Sequence, residues 1–330
     1  MINDGLPQGG AGEVRRIAVT GASGFIGQHL LFHLKRLGLD AVALSRSGTS
    51  VDGVKNVTIR DYGDESALDN ALQGIDVVIH LAARAHQLNE DQREASVLYY
   101  DANVRTAEAV AKACRRANVR RFVLMSSIGV NGNVTHGRAF GVEDAPAPVE
   151  EYACSKLAAE KAIADTLREG STDFVIIRPP LVYGPHCPGN FERLLRLVTK
   201  LPVIPLGGLK SLRTFVCVDN LVDALVVASR HPGVSRKTFL VADTEDISVG
   251  NLIRYLAEGA GKSHWAVWNI PSVWLETLAR VAGKQATFAK LAQELRVDGS
   301  AFCRTTGWVP PVKARVGLRV TAQAFSSRSR

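Results

Sequence analysis

The stretch Ile17-Ala-Val-Thr-Gly-Ala-Ser-Gly-Phe-Ile-Gly27 constrains the fold of this chain more than any other. Four residues of buried-strand character, Ile17 to Thr20, run into glycines at 21, 24 and 27, and an amphipathic pattern from Gln28 to Leu37 follows at once. A strand that turns straight into a helix aims the helix's unpaired N–H groups and the positive end of its dipole at the turn. Such a turn attracts phosphate. Gly21 suits the tight turn, Gly24 lets backbone approach a pyrophosphate, and Gly27 lets helix and strand pack with no side chain between them. The spacing of three and three differs from the common G-x-G-x-x-G, so the glycines alone leave a plain strand-to-helix turn open. Their place between a β pattern and an α pattern favours a nucleotide.

Strand and helix signals then alternate. Strands are expected at Ala41–Ser45, Val57–Arg60, Ile75–Leu81, Arg121–Met125 and Phe174–Ile177, with helices over 65–72, Glu94–Ala117 and Glu151–Arg168. This order predicts an α/β fold, a Rossmann-type doubly wound parallel sheet with right-handed crossovers and helices on both faces. After Pro179 the regularity breaks into a loop rich in proline and glycine. Beyond it the pattern predicts helices at 191–200, 221–230, 249–258 and 273–282, with short β pieces at 214–218 and 238–241. The expected division is a disordered leader over 1–13, a dinucleotide-binding domain over 14–180, and a smaller α/β substrate lobe over 181–330.

Composition narrows the function. The 330 residues are 46% hydrophobic, enough for a sizeable core. The most apolar stretch, Phe215 to Ala228, is interrupted by Asp219 and Asp223, so no integral membrane segment is expected. Five cysteines with no C-x-x-C pair argue for a reducing, cytoplasmic setting and against a disulfide framework or a bound metal. Cys154 reads as a small buried or half-buried side chain. The net charge of +8 is spread along the chain without aromatic-interleaved basic motifs, so it points to an anionic small molecule and no nucleic acid.

Several strand ends carry candidate ligand contacts. Ser45-Arg46 stands about 20 residues beyond the glycines, where an acidic residue would take a ribose hydroxyl and an arginine a 2′-phosphate, which leans toward NADP over NAD. Asp61 accepts from an adenine amino group or serves a turn. Ala82-Ala83 leave room for a cofactor at the end of a buried strand, in which His80 reads as a packed residue. The strongest catalytic sign is Tyr152-Ala-Cys-Ser-Lys156, because residues four apart share a helix face. A tyrosine base near neutrality needs its pKa lowered by about 3 units, roughly 4 kcal/mol. A neighbouring lysine and a cationic nicotinamide ring favour the phenolate.

Together with Asn103, Ser126-Ser127 and Arg178-Pro-Pro-Leu-Val-Tyr-Gly-Pro185, these motifs resemble the extended short-chain dehydrogenase/reductase superfamily, in its NAD(P)-dependent nucleotide-sugar epimerase/dehydratase branch. The resemblance implies that Ser127 holds the reacting hydroxyl, Tyr152 exchanges its proton, and Lys156 holds the nicotinamide ribose, with Asn103 supporting the lysine. It implies cofactor contacts from Gly21, Gly24, Phe25, Ile26, Gly27, Ser45, Arg46, Asp61, Tyr62, Leu81, Ala82, Ala83, Asn103, Tyr152, Lys156 and Pro179. Asn190 and Arg213 would join Ser127 on a UDP-sugar, with Arg213 on the diphosphate, a task that suits its forked donors. Asp219 reads instead as a helix N-cap.

Departures from the family pattern narrow the reaction. Ile128-Gly129 follow Ser127 where 4,6-dehydratases carry an Asp-Glu pair, so dehydration is not expected. Asn131 replaces a tyrosine found in many 4-epimerases. The chain looks most like a UDP-glucose 4-epimerase-like bacterial subgroup from surface-polysaccharide pathways. A UDP-4-keto-6-deoxy-N-acetylhexosamine reductase shares the same half-reaction, and a non-catalytic dinucleotide-binding regulator is the reading from a different class. The family also suggests a homodimer through the helices at 94–117 and 151–168.

Overall fold

The computed structural model describes residues 14–49, 51–84, 92–281 and 292–328, with 283, 285 and 288. The leader over 1–13 and position 282 lie outside the described residues.

The chain opens with β1 (Arg16–Thr20), α1 (Phe25–Arg36), β2 (Asp40–Ser45), β3 (Lys55–Thr58), α2 (Glu65–Leu72) and β4 (Val77–His80). Next come α3 (Gln92–Tyr99), a π-helical turn over Tyr100–Arg105, α4 (Thr106–Arg116), β5 (Arg121–Met125), α5 (Glu151–Thr166) and β6 (Asp173–Arg178). The sequence pattern shows the stretch from 94 to 117 as one helix. A π turn changes the hydrogen-bond ladder without breaking the apolar repeat, so periodicity does not reveal it.

The remainder comprises β7 (Leu181–Tyr183), α6 (Asn190–Lys200), β8 (Leu212–Arg213), β9 (Phe215–Cys217), α7 (Val218–Arg230), β10 (Lys237–Leu240), β11 (Ile247–Ser248), α8 (Val249–Gly259), α9 (Ser272–Val281), α10 (Ser300–Thr306) and α11 (Ala314–Arg328). The expected loop after Pro179 thus contains β7. Cys217 caps α7, which puts Asp219 inside the first turn and corrects its reading as the N-cap. Its carboxylate lies 3.7 Å from His29 on α1 instead.

Seven strands form one sheet in the order β10-β6-β5-β4-β1-β2-β3, with every pair parallel. Alternate residues serve opposite faces, as the strand period of two requires. Ile17 and Val19 of β1 join a core with Leu30, Leu31 and Leu34 of α1 and Leu221, Leu225 and Ala228 of α7. Ala18 faces the other way, into Leu68 of α2, Val110 of α4 and Ile163 of α5. The seventh strand and α7 come from beyond residue 180, so chain on both sides of that point builds the sheet.

The rest of the later half packs separately. Here β7 pairs with β9, β8 pairs antiparallel with β11, and Tyr183, Phe191, Phe215, Leu252, Leu256 and Leu318 form a core of their own. Among the described residues no helix is long and apolar enough to cross a membrane.

Candidate active site

The glycine turn has the geometry its residues suggest. Gly21 sits at φ 64°, and a Cβ there would lie 2.7 Å from the backbone nitrogen of Ala82, so only glycine fits. A Cβ on Gly27 would lie 2.4 Å from the carbonyl oxygen of Gly21. Gly24 caps α1 with no side-chain hydrogen bond, and the first turn, which begins with Phe25 and Ile26, holds no acidic residue. The positive end of the helix dipole is therefore left for an external anion. Thr20 Oγ1 bonds His80 Nδ1 at 2.9 Å and accepts from the Ala82 N–H at 3.2 Å, which fixes the ends of β1 and β4 side by side. His80 is a packed strand residue, stacked on Phe122 at 5.5 Å, and burial pushes its pKa down to about 3.

Around this turn, Leu81 and Ala82 are half-buried and Ala83 is exposed. Ser45 ends β2 with its side chain buried, while Arg46 beside it is exposed. The Ser45 hydroxyl has no hydrogen-bond partner among the described residues. Burial raises the pKa of Tyr62, against a hydrogen bond with the Gly21 backbone and the charge of Arg46, so Tyr62 stands between the turn and Arg46. Asp61 performs the turn role: its Oδ1 accepts from the Gly63 N–H at 2.7 Å.

The Tyr152–Lys156 face of α5 meets the carboxyl end of β5. Lys156 is buried, and its Nζ donates to the Met125 carbonyl at 2.9 Å while standing 5.9 Å from the Tyr152 ring centroid. Burial lowers its pKa to about 8, with the Glu160 carboxylate pulling the other way. Tyr152 packs edge-on against Tyr99 at 6.0 Å. Burial raises its pKa to about 12, with Tyr99 adding to the rise. The protein alone therefore disfavours the phenolate, opposite to the shift a tyrosine base needs. Cys154 is exposed on the outer face of α5, which corrects its reading as a buried side chain: it lies two positions from both Tyr152 and Lys156.

Ser127 lies two residues beyond β5, with extended backbone, and its Oγ accepts from the Gly129 N–H at 3.1 Å. The Ile128 N–H donates to the Pro179 carbonyl at 2.9 Å, tying the serine turn to the end of β6. Asn103 lies in the π turn, buried, and donates to Ser155 Oγ at 2.9 Å while its Oδ1 accepts from the Arg84 N–H at 2.7 Å. It thereby links α5 to the chain that leaves β4.

The sequence motifs include Ser126, Asn131 and Arg178 but miss Glu160, the carboxylate that joins them in a buried polar network behind these residues. The Ser126 hydroxyl donates to Glu160, one helical turn beyond Lys156. Arg178 grips the same carboxylate through Nε at 2.8 Å and Nη2 at 2.5 Å, and its Nη1 donates to Asn131 Oδ1 at 3.0 Å. The i, i+4 spacing from Lys156 is the sequence signal that could have found Glu160.

The lobe supplies two candidates. Asn190 is the exposed first residue of α6, after Gly189 at φ 75°. Arg213, half-buried in β8, donates through Nε to the Gln293 carbonyl at 3.2 Å, and burial lowers its pKa. No described contact joins either of them to Ser127 or Tyr152.

The glycine cradle and the dipole end of α1 fit a dinucleotide's diphosphate, and Lys156 beside Tyr152 fits its nicotinamide half. Comparison with known proteins gives the family. The model of the NAD dependent epimerase/dehydratase family matches residues 17–242. The chain is 35% identical over 315 residues to a UDP-glucose 4-epimerase of Vibrio cholerae, covering 94% of this chain and 95% of that one. It is 25% identical over 338 residues to the N-acetyl-alpha-D-glucosaminyl-diphospho-ditrans,octacis-undecaprenol 4-epimerase of Escherichia coli O157:H7, covering 93% and 94%. The crystal structure of a Thermotoga maritima UDP-glucose 4-epimerase with UDP-glucose superposes with a TM-score of 0.76 at 21% identity, over 96% of this chain and all of the other, and so shares its fold. With the glycine turn, the Tyr152–Lys156 helix and these matches in agreement, the chain belongs to the NAD-dependent epimerase/dehydratase family.

Proposed function

We propose that this protein is a UDP-sugar 4-epimerase, acting at C4 of a UDP-hexose or UDP-N-acetylhexosamine for surface-polysaccharide synthesis. The observation that carries the reading is Lys156 buried beside Tyr152 with its Nζ anchored at the carboxyl end of β5, one residue before the serine pair. The near full-length relative from Vibrio cholerae supports the epimerase outcome.

In this reading the dinucleotide, held at Gly21, Gly24 and Gly27, supplies the hydride acceptor and donor. Ser127 holds the C4 hydroxyl and Tyr152 Oη takes its proton as the hydride leaves C4. Lys156 stabilises the phenolate by its charge. Return of the hydride to the opposite face of the 4-keto sugar, with the proton given back by Tyr152, completes an epimerisation with no net redox change. Arg213 and Asn190 hold the UDP diphosphate and the sugar. The bond from Arg213 Nε to the Gln293 carbonyl at 3.2 Å orients its guanidinium.

A specific observation favours a second reading, a 4-ketoreductase that releases its cofactor. Arg46 is exposed at the end of β2, near Tyr62, where it can meet the 2′-phosphate of NADPH. Incubation with UDP-glucose, UDP-N-acetylglucosamine and a UDP-4-keto-6-deoxy-N-acetylhexosamine, with and without NADH or NADPH, separates the two. Epimer formation with no net change at 340 nm supports the epimerase. Stoichiometric loss of reduced cofactor with the keto sugar alone supports the reductase.

A cytoplasmic homodimer accompanies this function. Val97, Leu98 and Tyr100, at 61%, 44% and 49% exposure, offer an apolar surface on the helix that would pair. Light scattering on the purified protein tests the dimer.

A further inference from the structure

The Tyr152–Lys156 helix carries a third buried polar residue that the proposed chemistry does not use. Glu160 and Arg178 keep only 5% and 7% of their side chains exposed, yet neither touches the turn that holds the dinucleotide. A buried ion pair is weak evidence for stability, because an apolar pair of similar volume commonly does as well. Its place suggests another use. Glu160 reaches Ser126, the neighbour of Ser127, and through Arg178 it reaches Asn131 at the far end of the serine turn. The backbone of that turn is held on the same side, by Ser126 N–H to Ile177 at 2.7 Å and Ile128 N–H to Pro179 at 2.9 Å. One carboxylate thus joins α5, β6 and both ends of the segment that presents Ser127.

The same carboxylate is the negative charge closest in sequence to Lys156 on the buried face. The other groups around Lys156 are His80 on β4, which burial keeps neutral, Tyr152 on its own helix, Tyr99 against that ring, and Arg178 on β6 behind Glu160. Only Glu160 favours the ammonium form.

We propose that Glu160 and Arg178 are a positioning pair, which sets the Ser127 turn against the Tyr152–Lys156 helix and keeps Lys156 charged during turnover. Arg178 bonds both carboxylate oxygens, so the Glu160 side chain is not drawn onto the lysine. Lys156 is left to donate to Met125 and to face the tyrosine. The inference rests on the proposed hydride chemistry for its kinetic consequence, and for the lysine's charge on the shared buried face of Lys156 and Glu160 together with the direction in which that carboxylate moves the lysine.

The test compares wild type, Glu160→Gln and the double replacement Glu160→Met with Arg178→Met. The double variant removes both charges together, so it is expected to melt close to wild type and to bind NAD or NADP within about 3-fold. Its kcat is expected to fall at least about 10-fold with KM little changed, because the Ser127 turn loses its tie to the helix. Glu160→Gln removes the carboxylate charge alone, and the alkaline limb of its pH profile is expected to move down by about 1 unit because Lys156 loses its proton earlier. A folded double variant with wild-type kcat, or a folded Glu160→Gln with an unmoved limb, overturns the proposal. Lysine titration by NMR in 13C-labelled protein without substrate gives an independent reading. If wild type turns over no UDP-sugar, the functional reading fails, and Lys156 titrating at one pH in wild type and Glu160→Gln would still overturn the positioning pair.

Discussion

Replacing Lys156 by methionine isolates the charge that the tyrosine needs. Burial, with Tyr99 adding to it, puts the Tyr152 phenol near a pKa of about 12, so phenolate is scarce at neutral pH and any base chemistry depends on nearby positive charge. Lys156 stands 5.9 Å from the ring centroid. At an effective dielectric of ~20 a unit charge at that separation stabilises a phenolate by about 3 kcal/mol, or roughly 2 pKa units. Lys156→Met is therefore expected to lower kcat about 100-fold at pH 7 and to move the acid limb of the profile up by about 2 pH units. Methionine keeps most of the buried volume, so the fold survives. The assay is turnover of the identified UDP-sugar at saturating cofactor from pH 6 to 10, which separates the charge effect from loss of ribose binding. A variant with activity within 3-fold of wild type and an unmoved limb would refute the electrostatic role. In wild type the ammonium is itself lost as pH rises through about 8, so activity should also decline on the alkaline side.

Tyr152→Phe should abolish turnover while dinucleotide affinity, read by fluorescence titration, changes less than about 3-fold; full activity would end the acid–base mechanism. Gly27→Ala places a methyl 2.4 Å from the Gly21 oxygen and should lower stability by about 2 kcal/mol or more while weakening dinucleotide binding, checked by urea titration. Asp219 is held below the usual carboxylate range, first by its polar contact with His29 3.7 Å away. A depressed carboxylate contributes stability above its unfolded pKa and loses it as pH falls through the folded value. Wild type should therefore lose stability more steeply than Asp219→Asn as pH falls from 5 to 3, and parallel urea midpoints would contradict the pairing.

What the sequence makes legible follows from the range of the interactions involved. The glycine turn, the alternation up to Phe174 and the Tyr152–Lys156 face are local, set by spacing within a strand or a helical turn. The link from Glu160 to Arg178 and Asn131 is different: its members are 18 and 47 residues apart along the chain, and only the parallel pairing of β5 with β6 brings them together. Short strands are hidden for a related reason. Two residues, as in β8 and β11, are too few for an alternating pattern to declare itself. The apolar positions of α10 and α11 were available in principle, and Phe302 and Leu318 show where their buried faces lie. Exposure of Cys154 follows from helix phase once Tyr152 and Lys156 face inward.

The pairing of β6 with β10 also has a consequence for biosynthesis. Lys237 to Leu240 lie in register with Val175 to Arg178, so the outer edge of β6 has no strand beside it until residue 240 has left the ribosome. For some sixty residues of synthesis after β6 the nascent sheet carries a bare edge of unpaired N–H and C=O groups, the kind of edge that recruits other chains. Stalled or truncated products that end before β10 should therefore be clients for chaperones, because they leave the six-residue β6 as the sheet edge in place of the four-residue β10 that edges the finished sheet.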